Sequence, residues 1–199
     1  TEQQLGLKTE FGVDLGSGKL KSELNLQGFH STFENSYFDR SLEQYTQGKG
    51  SVDIYWQHSR NDLKIKIGAG AAYLLGVENI ASSLLYYPQL ELYYQKPGNV
   101  LSPYLIAEGG VHFNTYKNLA ATNPYLAPTT LLTPTFNQYN ASLGIRSQLA
   151  SVLNFDLGFI YDQVENFNYF ERLPFDSSYQ DESYRLSNAF AAKYSNTDL

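Results

Sequence analysis

Val152 to Asp162 reads VLNFDLGFIYD, and Ala141 to Leu149 before it reads ASLGIRSQL. In the first stretch Leu153, Phe155, Leu157, Phe159 and Tyr161 fall on one side of an extended chain. Asn154, Asp156, Gly158 and Asp162 fall on the other. Side chains alternate faces along a strand, so one face is greasy and the other wet. The preceding stretch repeats the design: Tyr139, Ala141, Leu143, Ile145 and Leu149 alternate with Asn140, Ser142, Gly144, Arg146 and Gln148. Only Ala150 and Ser151 intervene before Val152, so the two runs read as a hairpin. What medium meets the greasy face decides the class of protein.

The same period of two recurs from the first residues. Leu5, Leu7, Thr9, Phe11, Val13 and Leu15 alternate with Gly6, Lys8, Glu10, Gly12 and Asp14, and Gly16-Ser17-Gly18 turns the chain into a second strand carrying Leu20, Leu24 and Leu26. Val52, Ile54 and Trp56 mark a third strand, turned by Ser59-Arg60-Asn61-Asp62, and Leu63, Ile65, Ile67, Ala69, Ala71 and Tyr73 a fourth. Leu90, Leu92 and Tyr94 belong to a fifth, whose regular pairing is expected to begin after Pro88 because proline cannot donate to the ladder. In a sixth, Leu105, Ala107, Gly109, Val111 and Phe113 oppose Ile106, Glu108, Gly110, His112 and Asn114. The opening hairpin supplies two more, and a ninth is expected through Tyr184, Leu186, Asn188 and Phe190. No comparable stretch has the 3.6-residue period of a helix.

Connections between these strands alternate in length. Short turns at 16–18, 59–62, 96–101 and 150–151 alternate with longer segments at 30–50, 74–83, 118–136 and 166–182. Transmembrane barrels join strands of about 10 residues by short periplasmic turns and longer extracellular loops. A lipocalin-like soluble barrel keeps its apolar rows inside, whereas charged, glycine-rich polar rows suit a wet lumen. The expected fold is therefore all-β, a transmembrane antiparallel up-and-down β-barrel occupying residues 1–199. Short periplasmic turns would put Thr1 outside the cell, and nine strands so oriented do not fit an even-numbered closed barrel. The expectation is that the chain is part of a larger barrel.

Composition narrows the function classes. The chain has 17 Tyr, 12 Phe and one Trp, with charged residues at 17%, below the roughly 25% of ordinary domains. No apolar run approaches the roughly 20 residues that a spanning helix needs. A net charge of −6 argues against nucleic acid as a partner, and zero Cys removes thiolate metal sites. His30, His58 and His112 are scattered, with no nucleophile-elbow context and no cluster of carboxylates, so neither catalysis, a metal nor a cofactor is expected. A barrel enzyme would rest on His112.

If the apolar rows face lipid, Lys8, Glu10, Asp14, Lys64, Lys66, Glu108, Arg146, Asp156 and Asp162 line the lumen. They either form a field that selects solutes or simply pair across strands in water. Tyr37, Phe38, Phe167, Tyr169 and Phe170 lie in longer segments, as a binding platform at the extracellular end or as loops packing on one another. Tyr86, Tyr87, Tyr94, Trp56, Phe159 and Tyr161 sit near strand ends, as interfacial girdle residues do.

Asn123-Pro124-Tyr125-Leu126-Ala127-Pro128, then Thr133-Pro134-Thr135 and Tyr139-Asn140-Ala141-Ser142-Leu143-Gly144-Ile145-Arg146, resembles the NPxLxPE…YExG pattern of TonB-dependent receptor barrels, especially those of Bacteroidota. The likeness covers about 25 residues closely. The family's Pro-Glu before the strand is Pro128-Thr129 or Pro134-Thr135 here, and no plug or TonB box is visible in the 199 residues. The resemblance implies a barrel of about 22 strands in the outer membrane of a Gram-negative bacterium, importing solutes. Its surroundings would be outer-membrane lipid and lipopolysaccharide, with other outer-membrane or periplasmic proteins as partners. The alternative is a non-transporting structural or accessory barrel in an outer-membrane assembly or secretion complex.

Overall fold

The computed structural model describes residues 1–33, 44–77, 83–95, 100–127, 132–149, 153–172 and 190–195. Eight strands form one antiparallel sheet in chain order: β1 (Glu2–Leu15), β2 (Gly18–Thr32), β3 (Gln44–Arg60), β4 (Leu63–Leu75), β5 (Leu84–Tyr94), β6 (Leu101–His112), β7 (Thr135–Leu149) and β8 (Leu153–Glu165). A helix α1 (Tyr116–Thr122) lies between β6 and β7, and β9 (Phe167–Arg172) pairs with β10 (Phe190–Ser195) in a separate two-stranded sheet. The meander is open: β1 and β8 are its two edges.

Tight turns fix the register at one end. Leu15 pairs with Gly18 across Gly16-Ser17, and Arg60 pairs with Leu63 across Asn61-Asp62. The first residue of each two-residue loop has positive φ, 61° at Gly16 and 48° at Asn61, which glycine and asparagine tolerate best. From these turns the registers carry every apolar row onto one face. Leu24, Val52, Ala71 and Tyr86 stand side by side across four strands, as do Leu92, Leu105, Leu143 and Phe159.

The sheet curls away from that apolar face. β3 and β6 are three strands apart, about 14 Å in a flat sheet. Even so, the Lys49 ammonium of β3 donates to the Val111 carbonyl of β6 at 2.8 Å. Phe113, just past β6, meets Phe29 of β2 edge to face with 4.9 Å between ring centres. Only a curved sheet brings these groups together across its polar, concave side.

Several expectations change here. The segment after β6 turns inward: the β6–β7 register breaks between Glu108 and Gly110, and Val111 packs with Ala72, Leu74 and Tyr87 beside Phe136. A register break of this kind re-aims the side chains beyond it, so Val111 and Phe113 leave the apolar row assigned to them. Tyr87 is also inward and only 6% exposed, so it is not a girdle residue. Pairing does begin after Pro88 on the β6 side, with Gln89 opposite Glu108, but on the β4 side β5 runs through it, Pro88 facing Ala69. Phe167–Arg172, expected as loop, is a strand that leaves β8 at Asn166, whose φ is 54°. The ninth strand expected through Tyr184, Leu186 and Asn188 lies outside the described residues, and Phe190 opens β10.

A one-layer sheet has no second sheet to pack against, and bulky inward rings fill that need by lying over glycines. Tyr87 covers Gly70, and the Tyr104 hydroxyl end lies over Gly144 and Gly158, where an added Cβ would collide with it. Gly144→Val is therefore expected to lower stability by about 1–3 kcal/mol through overpacking, read from the urea unfolding midpoint of the purified chain. An unchanged midpoint would mean that the slot does not hold the ring.

Candidate functional site

The concave face has two parts, and the chain builds them differently. At the end of the longer connections it is dry. Thr115 caps α1 by accepting from the Asn118 amide at 3.3 Å, and the Leu119 side chain packs with Leu126 and Leu132 against Tyr45, Tyr116, Ala120 and Phe170. The Gln47 amide group donates to the Leu132 carbonyl at 2.8 Å, and Asn114 donates to the Thr133 carbonyl and the Thr135 hydroxyl. The Lys117 amide reaches Glu2 of β1 at 3.4 Å. Residues 113–127 and 132–134 thus lie across the concavity as a strap.

Toward the tight turns the face is polar, and its charges meet in cross-strand sets. Lys8 pairs with Glu23 at 2.8 Å, and the Tyr55 hydroxyl donates to the same carboxylate at 2.7 Å. Lys21 pairs with Glu10 at 2.6 Å and Lys19 with Asp14 at 3.5 Å. Lys66 and Lys64 share Glu91 at 3.1 and 3.7 Å. Arg146 Nε donates to Asp156 at 2.9 Å, and the Tyr104 hydroxyl donates to the other oxygen of that carboxylate at 2.9 Å. Asp162 accepts from the Asn140 side chain, and Asp53 accepts from Gln89 at 3.1 Å.

All nine charged residues expected to share a face therefore do so. Eight of them meet a charged or carboxamide partner; the ninth, Glu108, faces Gln89 and Asn140 in the registers. Sequence reading left their partners Lys19, Lys21, Glu23 and Glu91 out of the set. The signal was available: all four occupy the inward parity of their strands, and the registers set Lys19 opposite Asp14 and Glu91 opposite Lys66.

The aromatic residues expected at the loop end divide. Tyr37 and Phe38 lie outside the described residues. Phe167 and Tyr169 are exposed on β9, 56% and 46% respectively, whereas Phe170 packs into the strap's apolar cluster. The histidines stay apart. The His30 ring bonds to the Thr46 hydroxyl at 2.8 Å, and that of His58 to the Ser17 carbonyl at 2.6 Å while stacking on Trp56. His112 ends β6. Among the described residues no group of three His, Cys, Asp or Glu could hold a metal ion.

The fold and site define an open, single-layer antiparallel meander with one apolar and one ion-paired face. No protein-family model, curated protein or solved structure matches the chain.

Because Arg146 and Asp156 are both about half exposed, their pair is worth only about 0.2–1 kcal/mol. A double-mutant cycle of Arg146→Gln and Asp156→Asn should return a coupling in that range that shrinks with added salt. A coupling of several kcal/mol would instead mean that water does not reach the concave face.

Proposed function

We propose that this chain is a wall of a transmembrane β-barrel in the outer membrane of a Gram-negative bacterium, related to TonB-dependent receptor barrels and serving solute transport. One observation carries the reading: the outward face is a continuous apolar field on all eight strands. Leu5 is 80% exposed, Phe11 64%, Leu157 72% and Phe159 69%. Soluble monomers seldom expose apolar patches beyond a few hundred Å², whereas lipid-facing rows of a barrel require them. Trp56, Tyr73, Tyr86, Tyr94 and Tyr161 lie outward toward strand ends, as an aromatic girdle would.

Two further features support a larger barrel. Both edge strands are long, 14 residues for β1 and 13 for β8, and a lipid-immersed sheet must pair both edges to satisfy its backbone. The inward charges are ion-paired and reach water, as lumen residues do. The Asn123-Pro124 pair, part of the resemblance to the receptors, ends α1: Asn123 caps it, and its side chain accepts from the Tyr125 amide at 3.1 Å. Outer-membrane lipid and lipopolysaccharide are the surroundings of this reading, with other outer-membrane or periplasmic proteins as partners. It involves no catalysis and no nucleic acid.

The strap favours a second reading, a non-transporting structural or accessory barrel subunit, because the layer around Leu119, Leu126 and Leu132 fills one end of the concavity. Solute uptake into liposomes carrying the native protein separates the two: uptake supports transport, and sealed liposomes favour the accessory role.

The single tryptophan gives a direct test of membrane insertion. Trp56 fluorescence in bilayers of brominated lipid should be quenched most by bromines near the headgroups, placing the indole at the interface. Leu157→Arg should cost about 2–4 kcal/mol of stability in the bilayer if that residue sits near its midplane. Unquenched Trp56 in the reconstituted chain would overturn the membrane reading.

A further inference from the structure

A cavity of about 810 Å³ lies at the end of β5 and β7 and the start of β6 and β8, bordered by Tyr93, Ser102, Tyr104, Arg146, Asn154 and Asp156. Its geometry is organised around one guanidinium. Arg146 lies 4.6 Å from the ring centre of Tyr104 and 6.0 Å from that of Tyr93, and the two rings stack 6.3 Å apart. Asp156 holds Nε, and the Tyr104 hydroxyl in turn holds Asp156. The planar group is thereby held over the Tyr104 ring and along one edge. Among the described residues no bond is made to its two terminal nitrogens, and the side chain remains 54% exposed.

A second cation shares the Tyr93 ring with this guanidinium. Lys64 sits 5.3 Å from the Tyr93 ring centre, so two cations flank that ring. Lys64 and Lys66 share Glu91, Arg146 takes Asp156, and Glu108 is a third carboxylate acting on Tyr93. A guanidinium presents parallel donors that match a planar carboxylate, and pre-orientation reduces the freedom lost when it binds. Ser102 and Asn154 add neutral hydrogen-bonding groups on the rim, suited to the hydroxyls of a polar solute.

We propose that this cavity is a binding subsite for the carboxylate of a polar solute, such as an acidic sugar, with the terminal nitrogens of Arg146 as the fork that grips it and Lys64 as the second cation. The proposal rests on the concave face being the wet side of a barrel wall, and it deepens the transport reading by naming the class of solute.

The test uses the full chain in detergent micelles, with galacturonate as probe, galactose as its neutral analogue and inorganic phosphate as a competing anion. Arginine side-chain Nε–H resonances report binding. Galacturonate should shift the Arg146 resonance saturably, and galactose should not. Arg146→Gln should weaken galacturonate binding at least tenfold, read from the tyrosine resonances of the cavity. Arg146→Lys, which keeps the charge and loses the fork, should weaken it severalfold, as should Lys64→Gln. Lys19→Gln, a change at another concave cation, should alter it less than twofold. An absent or non-saturable response, equal binding of galactose, tighter binding of phosphate, or unchanged binding by Arg146→Gln would each overturn the proposal. If Arg146→Gln does not fold, the Arg146→Lys and Lys64→Gln outcomes decide. Trp56 quenching is read separately, so a chain that enters the bilayer but ignores galacturonate loses only this inference.

Discussion

The backbone ladder of a single curved sheet is the constraint from which everything else follows. With one layer and a side-chain period of two, each strand divides its residues between two media. A slip of one residue would send Leu157 and Phe159 to the charged side and Asp156 to the apolar side. The tight turns at Gly16-Ser17 and Asn61-Asp62 prevent such a slip at the start of two hairpins, and the registers stay unbroken from there to the strand ends. Ion pairs then need no long-range design: once the register holds, Arg146 stands opposite Asp156 and Lys66 opposite Glu91.

Much of this was legible because period-two alternation is a strong and local signal. Leu153 to Asp162 and Leu63 to Tyr73 could be read as strands with assigned faces, and the structure places both so, continuing them to Glu165 and Leu75. The alternation of short and long connections was legible for the same reason, since turn residues punctuate one end. Strand length was not. β2 runs on to Thr32 and β3 begins at Gln44, inside a stretch read as loop, because Phe29, Ser31 and Gln47 are buried, and Tyr45 partly buried, by partners far along the chain.

Where tertiary contacts decide, local reading failed. α1 is seven residues long, too short for a helical period to stand out, although Thr115 three residues before Asn118 and the spacing of Tyr116, Leu119 and Ala120 are its traces. The inward turn of Val111 and Phe113 depends on a register break that no alternation rule announces. Phe170 looked like a loop aromatic until the strap offered it Leu119, Leu126 and Leu132. In the candidate site the charged residues were legible one by one. The stacking of Arg146 on Tyr104 was not, because the two lie on different strands and meet only through the register.

The rings laid over glycines have a mechanical consequence. Tyr104 spans the Gly144–Gly158 pair of β7 and β8, and Tyr87 occupies the notch at Gly70. Sliding one strand by two residues would keep every face correct and cost little in hydrophobic matching, so alternation alone does not oppose it. It would, however, drive Tyr104 against Ser142 or Arg146 on β7 and Asp156 or Ile160 on β8, and Tyr87 against Ala72 in one direction, Gly68 leaving the other open. The notches therefore act as detents along the strand axis. They oppose shear of the sheet along the one axis that its two-faced pattern leaves unguarded.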